Sequence, residues 1–256
     1  MWKAIKREWH EFRVLMKSVP ALVVVLFIMS VFAMNLLANK SINIPWDWLA
    51  LDCGIIVSWF AFFTMDILTK RFGPKAATEI TVRAILVNLF FCLLLFLGSL
   101  IPGAWGESFT EGGDLVNGAL NATFGGIWYV VIGSTAAFLA SAIVNNFSNF
   151  GIGKLFKKKP DGLIAFVLRT YVSTAVGQFI DNFTFALIVS HFFFGWTILQ
   201  CVTCAATGMV VELLCEAVFL YPGYAITRRW KSSGVGEEYL KLKTEALHEN
   251  TDHGNE

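Results

Sequence analysis

Three polar residues stand inside an otherwise apolar run, RTYVSTAVGQFIDNFTFALIV at 169–189: Gln178, Asp181 and Asn182. A charged side chain at the centre of a membrane helix costs at least about 2.5–3.5 kcal/mol, so such a group faces a cavity or a partner. The spacing predicts a helix on which Gln178 lies three residues before Asp181 and four before Asn182, placing all three on one side, with Phe185 one turn further on. A carboxylate accepts two N–H donors side by side, and a carboxamide both donates and accepts. Together they make a polar patch with an aromatic neighbour, directed into the bundle rather than at lipid.

Related groups occur nearby. SAIVNNFS at 141–148 parallels GQFIDNFT at 177–184, and each follows a Ser-Thr-Ala triplet, at 134–136 and 173–175. Two helices are thus expected to present Asn145 and Asn146 on one side and Asp181 on the other to a shared cavity, as in transporters with internal repeats. Interhelical hydrogen bonding is the plainer role for the two asparagines. Glu212 and Glu216 are four residues apart and repel each other when both are ionised, which makes them candidates for proton coupling; pairing with Arg169 or Asn146 is the structural alternative. Asp66 is four residues before Lys70, so an ion pair is its default role, with gating or coupling as the functional one.

Enzymatic chemistry has little to stand on. No G-x-S-x-G, H-E-x-x-H or phosphate-binding G-x-x-x-x-G-K-[ST] motif occurs, and no cofactor or metal is expected. The five cysteines, Cys53, Cys92, Cys201, Cys204 and Cys215, all lie in apolar runs. Cys201 and Cys204 have the spacing of a redox pair, but no charged neighbour activates them, so they read as packing residues. A membrane-embedded thiol oxidoreductase is the enzymatic alternative. There is no basic patch with interleaved aromatics, which argues against nucleic-acid partners.

The elements that must position these groups are spanning helices. The 256-residue chain is 56% hydrophobic and 15% charged, with 24 Phe and 9 Trp, which suits lipid rather than water. Residues 1–18 have amphipathic helical spacing, with Lys3, Lys6, Arg7, Arg13 and Lys17 between Trp2, Ile5, Trp9, Phe12 and Met16, and are expected to lie at the interface. Spans are expected at about 19–37, 48–68, 84–101, 124–144, 163–194 and 197–220, within a transporter domain at 19–222. The glycine-rich acidic stretch 103–122 reads as a mobile loop, and 223–256 as a polar, largely disordered cytoplasmic tail with room for one short helix.

Six spans place nearly every basic residue on one side. Lys70, Arg71, Lys75 and Arg83, then Lys154, Lys157, Lys158 and Lys159, then Arg228, Arg229, Lys231, Lys241 and Lys243 join the N-terminal five. Only Lys40 falls opposite, and Arg169 within a span. The expected fold is an all-α integral membrane protein with six transmembrane helices and both termini cytoplasmic.

Two ordered motifs add a resemblance. FFTMDILTKRFGPKAA at 62–77 looks like the second-helix signature of the VUT family, and Arg169 with Ser173, Gln178, Asp181 and Phe185 is similar to that family's fifth-helix pattern, R-x-x-x-S-x-x-x-x-Q-x-x-D-x-x-x-F. The resemblance extends over about 48–221. Lys70 stands where the family usually has an acid. Members are thought to import deazaguanine bases, precursors of the modified tRNA nucleoside queuosine.

The resemblance implies an inner-membrane importer working by alternating access, with proton coupling as a candidate drive. Asp181 is the implied main recognition group, supported by Gln178 and Asn182, with Phe183, Phe185 or Trp128 stacking on the heterocycle. Arg169 is the implied brace of a cytoplasmic gate. A substrate-binding membrane subunit of a multi-component vitamin or base transporter is the second transport reading. The expected partners are a purine-like base and the lipid bilayer, with a homo-oligomer left open.

Overall fold

The computed structural model describes residues 2–106, 112–155 and 163–252; within its helices the side chains at 3–5, 142, 145–155, 163–171, 173, 220 and 246–252 lie outside the description. Helix accounts for 83% of the chain, and only two two-residue strands occur among the described residues, so the architecture is all-α. In order these are α1 (Trp2–Ser18), α2 (Ala21–Leu37), β1 (Ser41–Ile42), β2 (Leu51–Asp52), α3 (Ile55–Phe72), α4 (Pro74–Leu100), α5 (Gly113–Gly126), α6 (Trp128–Leu155), α7 (Leu163–Phe185), a π-helical stretch (Ala186–His191), α8 (Phe192–Phe194), α9 (Ile198–Ser232) and α10 (Glu237–Asp252).

Among the described residues three stretches are long and apolar enough to cross a membrane, Pro74–Leu100, Gly113–Ser141 and Ile198–Phe219. A fourth is added if α1 and α2 are counted as one bent span. On α4, Leu86, Phe90, Leu93, Leu97 and Leu100 are all exposed at alternating spacings of four and three. Such an apolar stripe is stable against lipid and unstable against water. On α9, Val210, Leu214, Val218 and Tyr221 form the outward stripe, while Cys201, Cys204, Ala205, Gly208 and Glu212 face inward. The composition of each helix therefore fixes which side can receive polar groups.

The chain groups into two compact units. The first contains Met1–Val31, Phe60–Leu86 and Val218–Glu256. Here α1 meets α2 at 101°. The break falls at Val19-Pro20, because proline lacks the N–H that α1 would need to continue but suits the start of α2. Helix α10 packs on α1, and its Tyr239 is 2% exposed beside Phe72 of α3. Arg71 Nε donates to the Val235 carbonyl at 2.8 Å. Gly236, at φ 83°, approaches Phe72 so closely that a Cβ would lie 2.4 Å from the ring. Lys75 Nζ bonds Glu11 Oε2 at 2.9 Å, and the Arg83 guanidinium covers the Phe12 ring at 4.4 Å.

The second unit contains Phe32–Trp59 and Val87–Ala217. Helices α6 and α7 pack along one another and hold its core. Ile127, Val130, Val131 and Val189 meet Ala38 and Cys92 in one cluster, and Ala186, Trp196, Cys201 and Cys204 form a second. Gly133 lets the π-helical stretch approach α6, since a Cβ there would lie 2.3 Å from Val189 Cγ2. Thr203 Oγ1 donates to the Trp48 carbonyl and Gln200 Nε2 to that of Asp47, which pins the β1–β2 hairpin to the start of α9.

Several expected boundaries shift. The span expected at 48–68 begins as a helix only at Ile55, because Leu51 and Asp52 pair with Ser41 and Ile42 in the hairpin and Asp52 Oδ1 accepts the Gly54 N–H at 2.7 Å. Within the stretch 103–122, the residues from Gly113 onward form α5 rather than a loop. Trp105 anchors that start, its backbone N–H donating to Asn117 and its indole N–H to Asn121. The sixth helix continues through Pro222 to Ser232, and the tail expected to be disordered contains the 16-residue α10. Replacing Tyr239 by Ala removes an aromatic core contact worth about 3–5 kcal/mol. The expected result is a lower melting temperature with rapid proteolysis within α10; wild-type protease resistance would contradict this packing role.

Candidate functional site

The inward faces of α3, α6, α7 and α9 in the second unit bring polar side chains together. Glu212 of α9 is 3% exposed, and both of its oxygens are occupied. Ser58 Oγ of α3 donates to Oε1 at 3.1 Å, and Asn182 Nδ2 of α7 donates to Oε2 at 3.2 Å. Neutral donors thus hold a buried carboxylate in one orientation, each bond to such a charged group contributing about 1.5–3 kcal/mol. The contact depends on Gly208, one turn before Glu212: a Cβ at that position would lie 2.7 Å from Asn182 Nδ2.

Asp181 is next to Asn182 on α7 and feels the charge of Glu212. Ser141 of α6 faces its carboxylate, while the same hydroxyl donates to the Phe138 carbonyl at 3.0 Å. Asp181 is itself half-buried. One turn back, Gln178 is 8% exposed and its Oε1 has no hydrogen-bond partner among the described residues. A buried amide oxygen left unpaired costs about 1–3 kcal/mol, which a ligand N–H would recover.

The electrostatics are one-sided. All four ion pairs among the described residues involve Glu11, Asp66 or Glu79, and none involves Asp181 or Glu212. No three His, Cys, Asp or Glu side chains are placed to hold a metal ion among the described residues. Among the described residues no cation is paired with Asp181 or Glu212.

The other expected site residues differ in what the structure describes of them. Asn145 and Asn146 lie on α6 and Arg169 on α7, and their side chains fall outside the described ones. Glu216 is one turn beyond Glu212, half-buried. Phe185 packs on the Ile127–Val131 cluster and Phe183 on the Cys201–Cys204 cluster, with Phe183 stacked on Phe179 at 6.0 Å. Trp128 stands at the start of α6 beside Tyr129 and Phe193, about 20 Å along that helix from Ser141. Cys201 and Cys204 are free thiols buried in core, as expected for packing residues.

Asp66 pairs with Lys70 at 4.0 Å, and both side chains are about half exposed. An exposed pair of this kind is worth under about 1 kcal/mol. Asp66→Asn is therefore expected to leave initial uptake within about twofold of wild type; a loss as large as that of a site residue would place Asp66 in the transport machinery.

Two residues of the site, Ser58 and Gly208, were not expected to belong to it. A single serine in an apolar helix ordinarily bonds its own preceding turn, and Ser58 Oγ also lies 3.5 Å from the Ile55 carbonyl. A glycine among small residues carries no polar signal at all.

Comparison with known families gives one match. A family model described as "putative vitamin uptake transporter" matches residues 52–226. No curated protein and no solved structure matches the chain.

Proposed function

This chain belongs to the vitamin uptake transporter family matched over residues 52–226, and on that premise we propose that it imports queuosine precursors, deazaguanine bases such as 7-cyano-7-deazaguanine. The observation that supports this reading is the polar cluster around Asp181, with Gln178 Oε1 one turn away and without a partner among the described residues, and Glu212 held by Asn182 and Ser58. The guanine-like edge of such a base presents adjacent N–H donors, which a carboxylate accepts in pairs. Asp181 receives that edge, and Gln178 Oε1 accepts a further donor.

The carrier crosses the inner membrane six times, with α2, α3, α4, the α5–α6 stretch, α7 and α9 as its spans and both termini cytoplasmic. The concentration of Lys and Arg at the N-terminus, in 70–83, 154–159 and 228–243 supports that orientation. Transport proceeds by alternating access, with Glu212 as the group that takes up the coupling proton.

Expression in a bacterial host unable to make deazaguanine bases tests the cargo. At limiting external precursor, tRNA queuosine is expected to return with this chain and not with an empty vector. Absence of queuosine despite normal membrane abundance would assign the chain another cargo, in line with Lys70 in place of the family's usual acid.

A further inference from the structure

We infer that the outward face of α1 is a binding site for anionic phospholipids, taking their headgroups on a row of cations and their glycerol–acyl boundary on a stripe of indoles. The site belongs to the first unit and is independent of what the chain carries.

Helix α1 has an inward and an outward side. Val14 and Leu15 are buried, Glu11 turns in to Lys75, and Phe12 lies under the Arg83 guanidinium. Opposite them Trp2, Trp9 and Met16, spaced seven apart, form an exposed stripe, open by 69% and 59% at the two tryptophans. Lys6, Arg13 and Lys17 are exposed along one flank of that stripe. Glu8, the other acid of α1, lies toward the inward side, close enough to act on Lys75. The outward face therefore presents aromatic surface and positive charge together, the pairing that suits the layer between acyl chains and phosphates.

The placement of α1 selects a membrane over other polyanions. Helix α2 is apolar throughout, with Leu22, Val25, Leu26 and Met29 exposed, and α1 meets it at 101°. With α2 crossing the bilayer, α1 runs along the surface. The cations of its outward face are also the unspent ones of the first unit. Lys75 pairs with Glu11 and Glu79, Lys70 with Asp66, Arg71 donates to the Val235 carbonyl, and Arg83 covers Phe12. Among the described residues Lys6, Arg13 and Lys17 form no ion pair, and Lys6 stands 5.5 Å over the Trp2 ring. A soluble phosphate would meet these cations and leave the indoles in water, whereas a phospholipid covers both.

The test uses the full chain, stripped of lipid in a neutral detergent and titrated with phosphatidylglycerol or phosphatidylcholine, with bound lipid counted by mass. Each Lys or Arg near an anionic surface strengthens attachment about fivefold, so phosphatidylglycerol is expected to bind at least about tenfold more tightly. The triple variant Lys6→Gln, Arg13→Gln, Lys17→Gln is expected to abolish that preference at an unchanged melting temperature, and the charge-conserving set Lys6→Arg, Arg13→Lys, Lys17→Arg to keep it. Arg228→Gln, Arg229→Gln, Lys231→Gln removes as many exposed cations from the end of α9 and is expected to leave the preference within about twofold. Trp2→Ala with Trp9→Ala is expected to weaken both lipids, and soluble glycerol phosphate not to compete. Equal affinity for the two lipids, equal losses in the two glutamine sets, or displacement by glycerol phosphate would overturn the inference. Binding of neither lipid would also overturn it and leave the face to an acidic protein surface.

Discussion

Replacing Asp181 by Asn lowers initial uptake of a deazaguanine base by about ten- to a hundredfold at unchanged membrane abundance. The substitution conserves shape, and the Ser141 hydroxyl that faces the carboxylate can equally face an amide oxygen, so folding is preserved. What is lost is the carboxylate acceptor. A hydrogen bond to a charged group is worth about 1.5–3 kcal/mol, which sets the size of the effect. A paired contact to two N–H donors places it toward the upper end. Uptake normalised to abundance is the measurement, and wild-type rates in the variant would remove Asp181 from recognition.

The second large effect is expected at Gly208. A methyl group there would lie 2.7 Å from Asn182 Nδ2, closer than real contacts allow. The Asn182 amide can swing away, but only by giving up its 3.2 Å bond to Glu212. Gly208→Ala is therefore expected to act through Asn182, cutting uptake about tenfold, the value of one hydrogen bond to a buried charge. Asn182→Ala removes the same bond without a clash. The two substitutions share one mechanism, so the double variant is expected to be no worse than the poorer single one. Multiplying losses would mean that Gly208 serves something other than the Asn182–Glu212 contact.

How much of this was legible beforehand differs by residue. Gln178, Asp181 and Asn182 declare themselves because polar groups in an apolar run have no cheap alternative to a shared interior face. In the structure Asn182 bonds Glu212, and Gln178 is buried one turn before Asp181. Glu212 was equally visible, but its partners were not. Repulsion from Glu216 or a pair with Arg169 or Asn146 was expected; among the described residues Ser58 and Asn182 are the donors, and the Arg169 and Asn146 side chains lie outside them. That pairing joins positions 154 residues apart, a distance that periodicity does not address.

The membrane class was legible for the same reason that the boundaries were not. Apolar stripes such as Leu86, Phe90, Leu93 and Leu97 announce a lipid-facing surface wherever they occur. Helix ends depend on local hydrogen bonds instead. Asp52 and Gly54 halt α3 before the apolar Leu49–Leu51 stretch, and Trp105 fixes the start of the α5 region through two asparagines. In the tail, a polar composition concealed one anchor, Tyr239, whose burial against Phe72 orders sixteen residues of helix.

Uptake of a labelled deazaguanine base into proteoliposomes containing only this chain tests the central claim most directly. Accumulation with wild type, increased by an inward proton gradient and reduced at least tenfold in Asp181→Asn, is the predicted result. No accumulation by correctly inserted wild-type protein, or accumulation indifferent to Asp181, would contradict a self-sufficient carrier built around this residue.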